Sequence, residues 1–110
     1  MAYDQELAER VRSVISARAD VEEKKMFGGI AFMVGGNLAV GIRGDELLVR
    51  LAEEDARGAL TEDGVRQFEM GGKRRPKGWV LVGGQRISED AGLGEWVDAG
   101  ADYAASLPAK

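Results

Sequence analysis

The stretch Lys24-Lys25-Met26-Phe27-Gly28-Gly29-Ile30-Ala31-Phe32-Met33-Val34-Gly35-Gly36-Asn37 sets two Gly-Gly pairs beside two lysines. Those are ingredients of an anion-binding loop, in which backbone N–H groups freed by glycine point at a phosphate. Such loops place their glycines between a strand and a helix N-terminus, in G-x-G-x-x-G or G-x-x-x-x-G-K-[ST] spacing. This stretch has neither spacing, and each pair is followed by another strand-like run, Ile30 to Val34 or Leu38 to Arg43. The glycines therefore read as backbone devices. Gly28 and Gly29 suit a bulge or a corner where backbones approach closely. Gly35 and Gly36, followed by Asn37, suit a hairpin, because these residues tolerate positive φ.

Other reactive groups are sparse. The 110 residues contain no cysteine and no histidine, which removes disulfides, thiolate chemistry, histidine metal clusters and every Ser-His or Cys-His dyad. The remaining nucleophiles are Ser13, Ser16, Ser88, Ser106, Thr61, Tyr3, Tyr103 and the lysines. Ser13 and Ser16 fall on the first predicted helix, Ser88 at a helix start and Ser106 near the chain end, so no constellation emerges from spacing. Spatial clusters of lysine and carboxylate stay open. The triplet Glu53-Glu54-Asp55 has magnesium-binding groups, but consecutive helical residues point in different directions. Acidic residues in a first helical turn answer the helix dipole instead. No catalytic residue, metal site or cofactor is expected.

Charge suggests binding. The net charge is −4, which argues against generic nucleic-acid binding. Yet residues 66–86 carry six basic residues and one acidic, while residues 89–102 carry five acidic and none basic. The basic part centres on a loop containing Lys73, Arg74, Arg75 and Lys77, next to Trp79. A basic loop beside an aromatic ring could contact single-stranded nucleic acid, although four charges are a small footprint. The other reading is two solvated faces that partly neutralise each other.

The elements that must position these groups follow from periodicity. Leu7, Val11, Val14 and Ile15 form one helical stripe within residues 3–18, with Asp4 as N-cap. Residues 20–23 read as a polar connection, and Met26-Phe27 leads into the first of three strands. Alternation sends Ile30, Phe32, Val34, Leu38, Val40, Ile42, Leu47, Val49 and Leu51 towards the helices. The opposite face would carry Ala31, Met33, Ala39, Gly41, Leu48 and Arg50. That face is too apolar to stand in water, so other parts of the chain or a second subunit must cover it, and a second subunit is the preferred reading. A short helix follows over residues 53–60. Strands are expected at Val65 to Met70 and Trp79 to Val82, with Gly83-Gly84-Gln85 as a turn. A final helix is capped by Ser88, has a stripe of Leu93, Trp96, Val97, Ala101, Ala104 and Leu107, and ends before Pro108. The expected fold is one α+β domain over residues 1–110. It has two layers, an antiparallel sheet with helices on one face, in the order α-β-β-β-α-β-β-α.

Four stretches together resemble a known family: KMFGGIAFMVGGNLAVGI (25–42), DELLVRL (45–51), GWVLV (78–82) and LGEWVDAGADYAASLPAK (93–110). They resemble the N-terminal domain of the TfoX/Sxy family, whose founding members regulate natural competence. The resemblance implies a two-layer α/β fold like that of secretion chaperones and a protein without known catalysis. The founding regulators also carry a helical C-terminal domain, and the resemblance covers the N-terminal domain alone. The family's recurring positions fall here on Lys25, Met26, Phe27, Gly28, Gly29, Arg50, Gly78 and Trp79.

Among these, Lys25 and Arg50 are the charged candidates. A charge within or beside a sheet needs a partner, and a carboxylate of the same chain could supply it. Trp79 suits either a core or an interface anchor. The interaction candidates are Lys25, Met33, Leu48, Arg50, Arg74, Arg75, Lys77 and Trp79. The expected partner is a second copy of the chain or another protein, with nucleic acid and membrane not expected. The polar, acidic N-terminus and the short apolar runs place the protein in the cytoplasm.

Overall fold

The computed structural model describes residues 3–17, 20–26, 28–69 and 78–108. The chain runs α1 (Gln5–Ser16), β1 (Val21–Met26), β2 (Gly29–Val34), β3 (Asn37–Arg43), β4 (Glu46–Arg50), α2 (Glu53–Ala59), β5 (Val65–Gln67), β6 (Trp79–Val82), α3 (Gly84–Ile87) and α4 (Asp90–Ser106). The strands form one antiparallel sheet in the order β1-β2-β3-β4-β6-β5. This is the expected α+β architecture, with one strand and one short helix more than the sequence suggested.

The extra strand is β1. Four of its six residues are charged and exposed, which made residues 20–23 read as a connection. An edge strand needs few apolar contacts, because its backbone pairing with β2 along the whole of Val21–Met26 supplies the order. Val21 touches one apolar cluster and Met26 another. The extra helix replaces the turn expected at residues 83–85. Ser88 consequently ends α3, where its hydroxyl donates to the Gln85 carbonyl at 3.2 Å. It does not cap α4, whose N-cap position is held by Glu89. The fourth expected strand, over Val65 to Met70, is β5 and stops at Gln67.

All four helices bury their apolar stripes on one face of the sheet. Leu7, Val11 and Ile15 of α1, Ala56 and Ala59 of α2, Ile87 of α3, and Leu93, Val97, Ala101 and Ala104 of α4 join Ile30, Phe32, Val40, Ile42, Leu47 and Val49 in one cluster. Asp4 caps α1 as expected, its carboxylate accepting from the Leu7 N–H at 3.1 Å. The β2–β3 hairpin turns on Gly35 and Gly36, at φ +60° and +81°, the conformation that a two-residue turn of this kind demands. Gly28 is also at positive φ. Gly29 leaves no room for a side chain: a Cβ there would lie 1.8 Å from the Ile42 carbonyl oxygen.

Strict alternation fails at one place. Phe32 pairs with Val40, but Met33 pairs with Leu38, so Ala39 is an extra residue, a β-bulge. Leu38 and Ala39 therefore exchange the faces expected of them. Ala39 sits under the helices and Leu38 joins the opposite cluster. A small residue is required there because α4 comes very close, with Gly100 directly over the Ala39 carbonyl. Asn37, the single buried polar residue among those described, begins β3 and donates from Nδ2 to the Pro108 carbonyl at 3.0 Å. That bond pins the C-terminal end of α4 to the β2–β3 hairpin.

Candidate functional site

The second face of the sheet carries its own cluster of Ala31, Leu38, Leu48, Phe68 and Leu81, with Met26, Met33 and Trp79 packed at its margins. Leu48 is 1% exposed and Ala31 fully buried within the single chain. The apolar face is thus covered without a second subunit, and Leu48 is a core residue rather than a surface contact. Met33 remains partly exposed, next to the β1 edge.

Two arginines and two rings meet on this face, and a third ring reaches Arg50 from α4 on the helix side. The guanidinium of Arg43, at the end of β3, lies 5.5 Å from the Phe68 ring centroid. Phe68 lies 5.7 Å from Trp79 with the planes tilted by 30°. Arg50, at the end of β4, lies 6.0 Å from the Trp79 centroid and 5.6 Å from that of Tyr103 on α4. These separations are within cation–π range. Strand pairing sets the centre of the group, since Arg50 is directly opposite Trp79 in the β4–β6 register. The helix packing adds Tyr103.

Among the described residues, the partner of Arg50 is a pair of aromatic rings rather than a carboxylate of the same chain. Guanidinium is weakly hydrated and planar, so it can stack on rings and still present N–H donors at its edge. Arg50, Trp79 and Tyr103 are all partly exposed, which leaves the group within reach of a partner. Residue type and spacing do not mark Phe68 or Tyr103 as members of this site. Tyr103 is 53 positions from Arg50 in the chain, and only the docking of α4 joins them.

An open cleft of about 810 Å³ lies beside Arg43, between the β3–β4 turn and β5, lined by Asp45, Glu46, Arg66, Glu69 and Leu81. Arg66 and Glu46 form an ion pair there. The walls carry both signs of charge, so they select neither anion nor cation. Glu53, Glu54 and Asp55 occupy the first turn of α2, and no group of three or more acidic residues among those described could hold a metal ion. Lys25 is exposed on β1, far across the sheet from Arg50. On the same strand, Arg12 of α1 grips Glu23 through two bonds of 2.6 and 2.7 Å. That hydrogen bonding holds the Glu23 carboxyl below its ordinary range and raises Arg12. Lys73, Arg74, Arg75 and Lys77, with Phe27, lie outside the described residues. No helix among the described residues is long and apolar enough to cross a membrane.

Among the described residues, a six-stranded antiparallel sheet layered under four helices, with an arginine–aromatic group on its other face that reaches Tyr103 of α4, defines a small two-layer α+β domain. The chain belongs to the TfoX N-terminal domain family, whose model matches residues 13–104. The match spans every strand and nearly the whole of α4. Comparison with curated proteins and with solved structures returned no match.

Proposed function

We propose that this chain is a non-catalytic protein-interaction domain that acts in regulation of the TfoX type, in control of transcription or competence through contact with another protein. The observation that carries this reading is the partly exposed Arg50–Trp79–Tyr103 group. Tryptophan, tyrosine and arginine are the residues most enriched at energetic centres of protein interfaces. Here they are held in register by strand pairing and by α4, so little side-chain freedom is lost on binding. Family membership supports the regulatory part of the reading.

The test is affinity capture from a lysate of the source organism, with and without nuclease treatment, comparing the parent with Arg50→Glu and Trp79→Ala. Arg66→Glu, outside the group, serves as control. A protein retained by the parent and the control but lost from both site variants is expected. Capture that is indifferent to both site variants would overturn the assignment of this surface. Capture that vanishes with nuclease would move the function to nucleic acid.

A further inference from the structure

Among the described residues, no strand lies beyond the outer edge of β1, which is the first strand of the sheet and pairs with β2. Its sequence is Val21-Glu22-Glu23-Lys24-Lys25-Met26, with the four charged residues exposed. Contact of Glu23 with Arg12 of α1 places positions 21, 23 and 25 on the helix side. Glu22, Lys24 and Met26 then share the other side. Each side thus carries a glutamate two residues before a lysine.

We propose that β1 is a self-association edge, pairing antiparallel with β1 of a second copy of this chain. A two-fold axis normal to the sheet keeps the helix faces of both copies on the same side, and residues directly opposite must share a face. In the register centred on Glu23, Glu22 faces the partner's Lys24, and Lys24 faces the partner's Glu22. The two Glu23 carboxylates meet at the axis, each already neutralised by its own Arg12. Val21 faces the partner's Lys25. The alternative register, centred on Lys24, keeps two Glu23–Lys25 pairs but sets two lysines, with no counter-ion among the described residues, against each other at the axis and leaves Glu22 opposite Met26, so the Glu23-centred register is favoured. Charged side chains commonly blunt an edge strand against pairing, but in this register the charges of β1 attract those of its copy. The edge is complementary to itself on the open side. Met33, opposite Glu22 on β2 and partly exposed, extends the contact beyond the strand.

This surface is separate from the protein-contact group, since Arg50 is three strands away on β4. An edge contact of this size belongs to the weaker class of interfaces, below about 1,200 Å², so dimerisation is sought from roughly 1 μM to 1 mM. Sedimentation equilibrium on the full chain is the assay. The parent is expected to dimerise within that range, more weakly at 1 M than at 0.1 M salt because the exposed charges are screened. Glu22→Lys and Lys24→Glu each convert two attractive cross-strand pairs into repulsive ones and should weaken the dimer about tenfold or more. The double variant Glu22→Lys/Lys24→Glu restores both pairs and should return to within roughly threefold of the parent, given the same pair energies. Backbone amide exchange of β1 in the parent should slow as concentration rises. A parent that stays monomeric throughout would overturn the proposal. So would single reversals without effect, or a double variant as weak as the singles. Any of these results with lysate capture intact would leave the protein-contact reading standing.

Discussion

Replacing Gly100 with alanine probes the closest approach between α4 and the sheet. An added Cβ would lie 2.5 Å from the Ala39 carbonyl oxygen and 2.7 Å from Val40 Cγ1. Ordinary contact begins at 3.4 Å, so the methyl is about 0.9 Å too close to a backbone atom that cannot rotate away. Either α4 lifts or the bulge at Ala39 deforms. Overpacking of this kind costs about 1–3 kcal/mol. Removing a helical glycine returns about 0.5–1 kcal/mol, so the middle of the two ranges leaves a net loss of about 1 kcal/mol. Gly94 is the matched control: it lies in the same helix and has nothing within 4 Å of an added Cβ. There alanine should stabilise by about 0.5–1 kcal/mol. Urea unfolding separates the two effects by sign, and thermal unfolding should show roughly 4–8 °C per kcal/mol. Lifting α4 also withdraws Tyr103 from Arg50, so the Trp79 indole resonance should shift in Gly100→Ala and hold still in Gly94→Ala. Equal stabilisation by both alanines would refute the claim that the bulge and Gly100 form one fitted contact.

Arg50→Ala should cost about 0.5–2 kcal/mol through loss of cation–π contact, read by urea unfolding, with Arg50→Lys recovering only part of it. Asn37→Ala should cost about 1–2 kcal/mol, because it removes the bond that ties β3 to the end of α4. Amide exchange should then quicken in the last turn of α4. Glu23→Gln should lower stability at neutral pH by no more than about 1 kcal/mol, since the pair is partly solvated, with side chains 32% and 44% exposed. The folded pKa of Glu23 is depressed, so its contribution is present above the unfolded value of about 4.3 and is lost as pH falls through the folded value. The stability difference between parent and Glu23→Gln should therefore shrink on acidification from pH ~7 to pH ~3.

Much of the fold could be read from local pattern. Period-two alternation marked β2, β4 and β6, the helical stripe marked α1 and α4, and paired glycines marked the β2–β3 turn. These are short-range signals, set by side-chain direction and by φ at single residues. β1 escaped because an edge strand is stabilised by its neighbour's backbone, and its charges mimic a loop. The exchange of Leu38 and Ala39 escaped because a bulge is a property of two strands in register, and no residue type in β3 announces it.

For the site, residue type went part of the way. Arg50 and Trp79 stood out as a charge and a large aromatic ring on strands, and β4–β6 pairing does place them opposite each other. Composition could not say that Arg50 would rest on rings, that Phe68 and Tyr103 would complete the group, or that Leu48 would be buried within its own chain. Those outcomes depend on where α4 and the segment after β5 come to lie, and contacts between residues far apart in the chain are set by packing. The amino-acid order alone settled the class of fold, the lack of cysteine and histidine chemistry, and the β2–β3 turn. Which charges face rings, which face carboxylates and which edge stays open were decided only when the sheet closed its register and the helices docked on it.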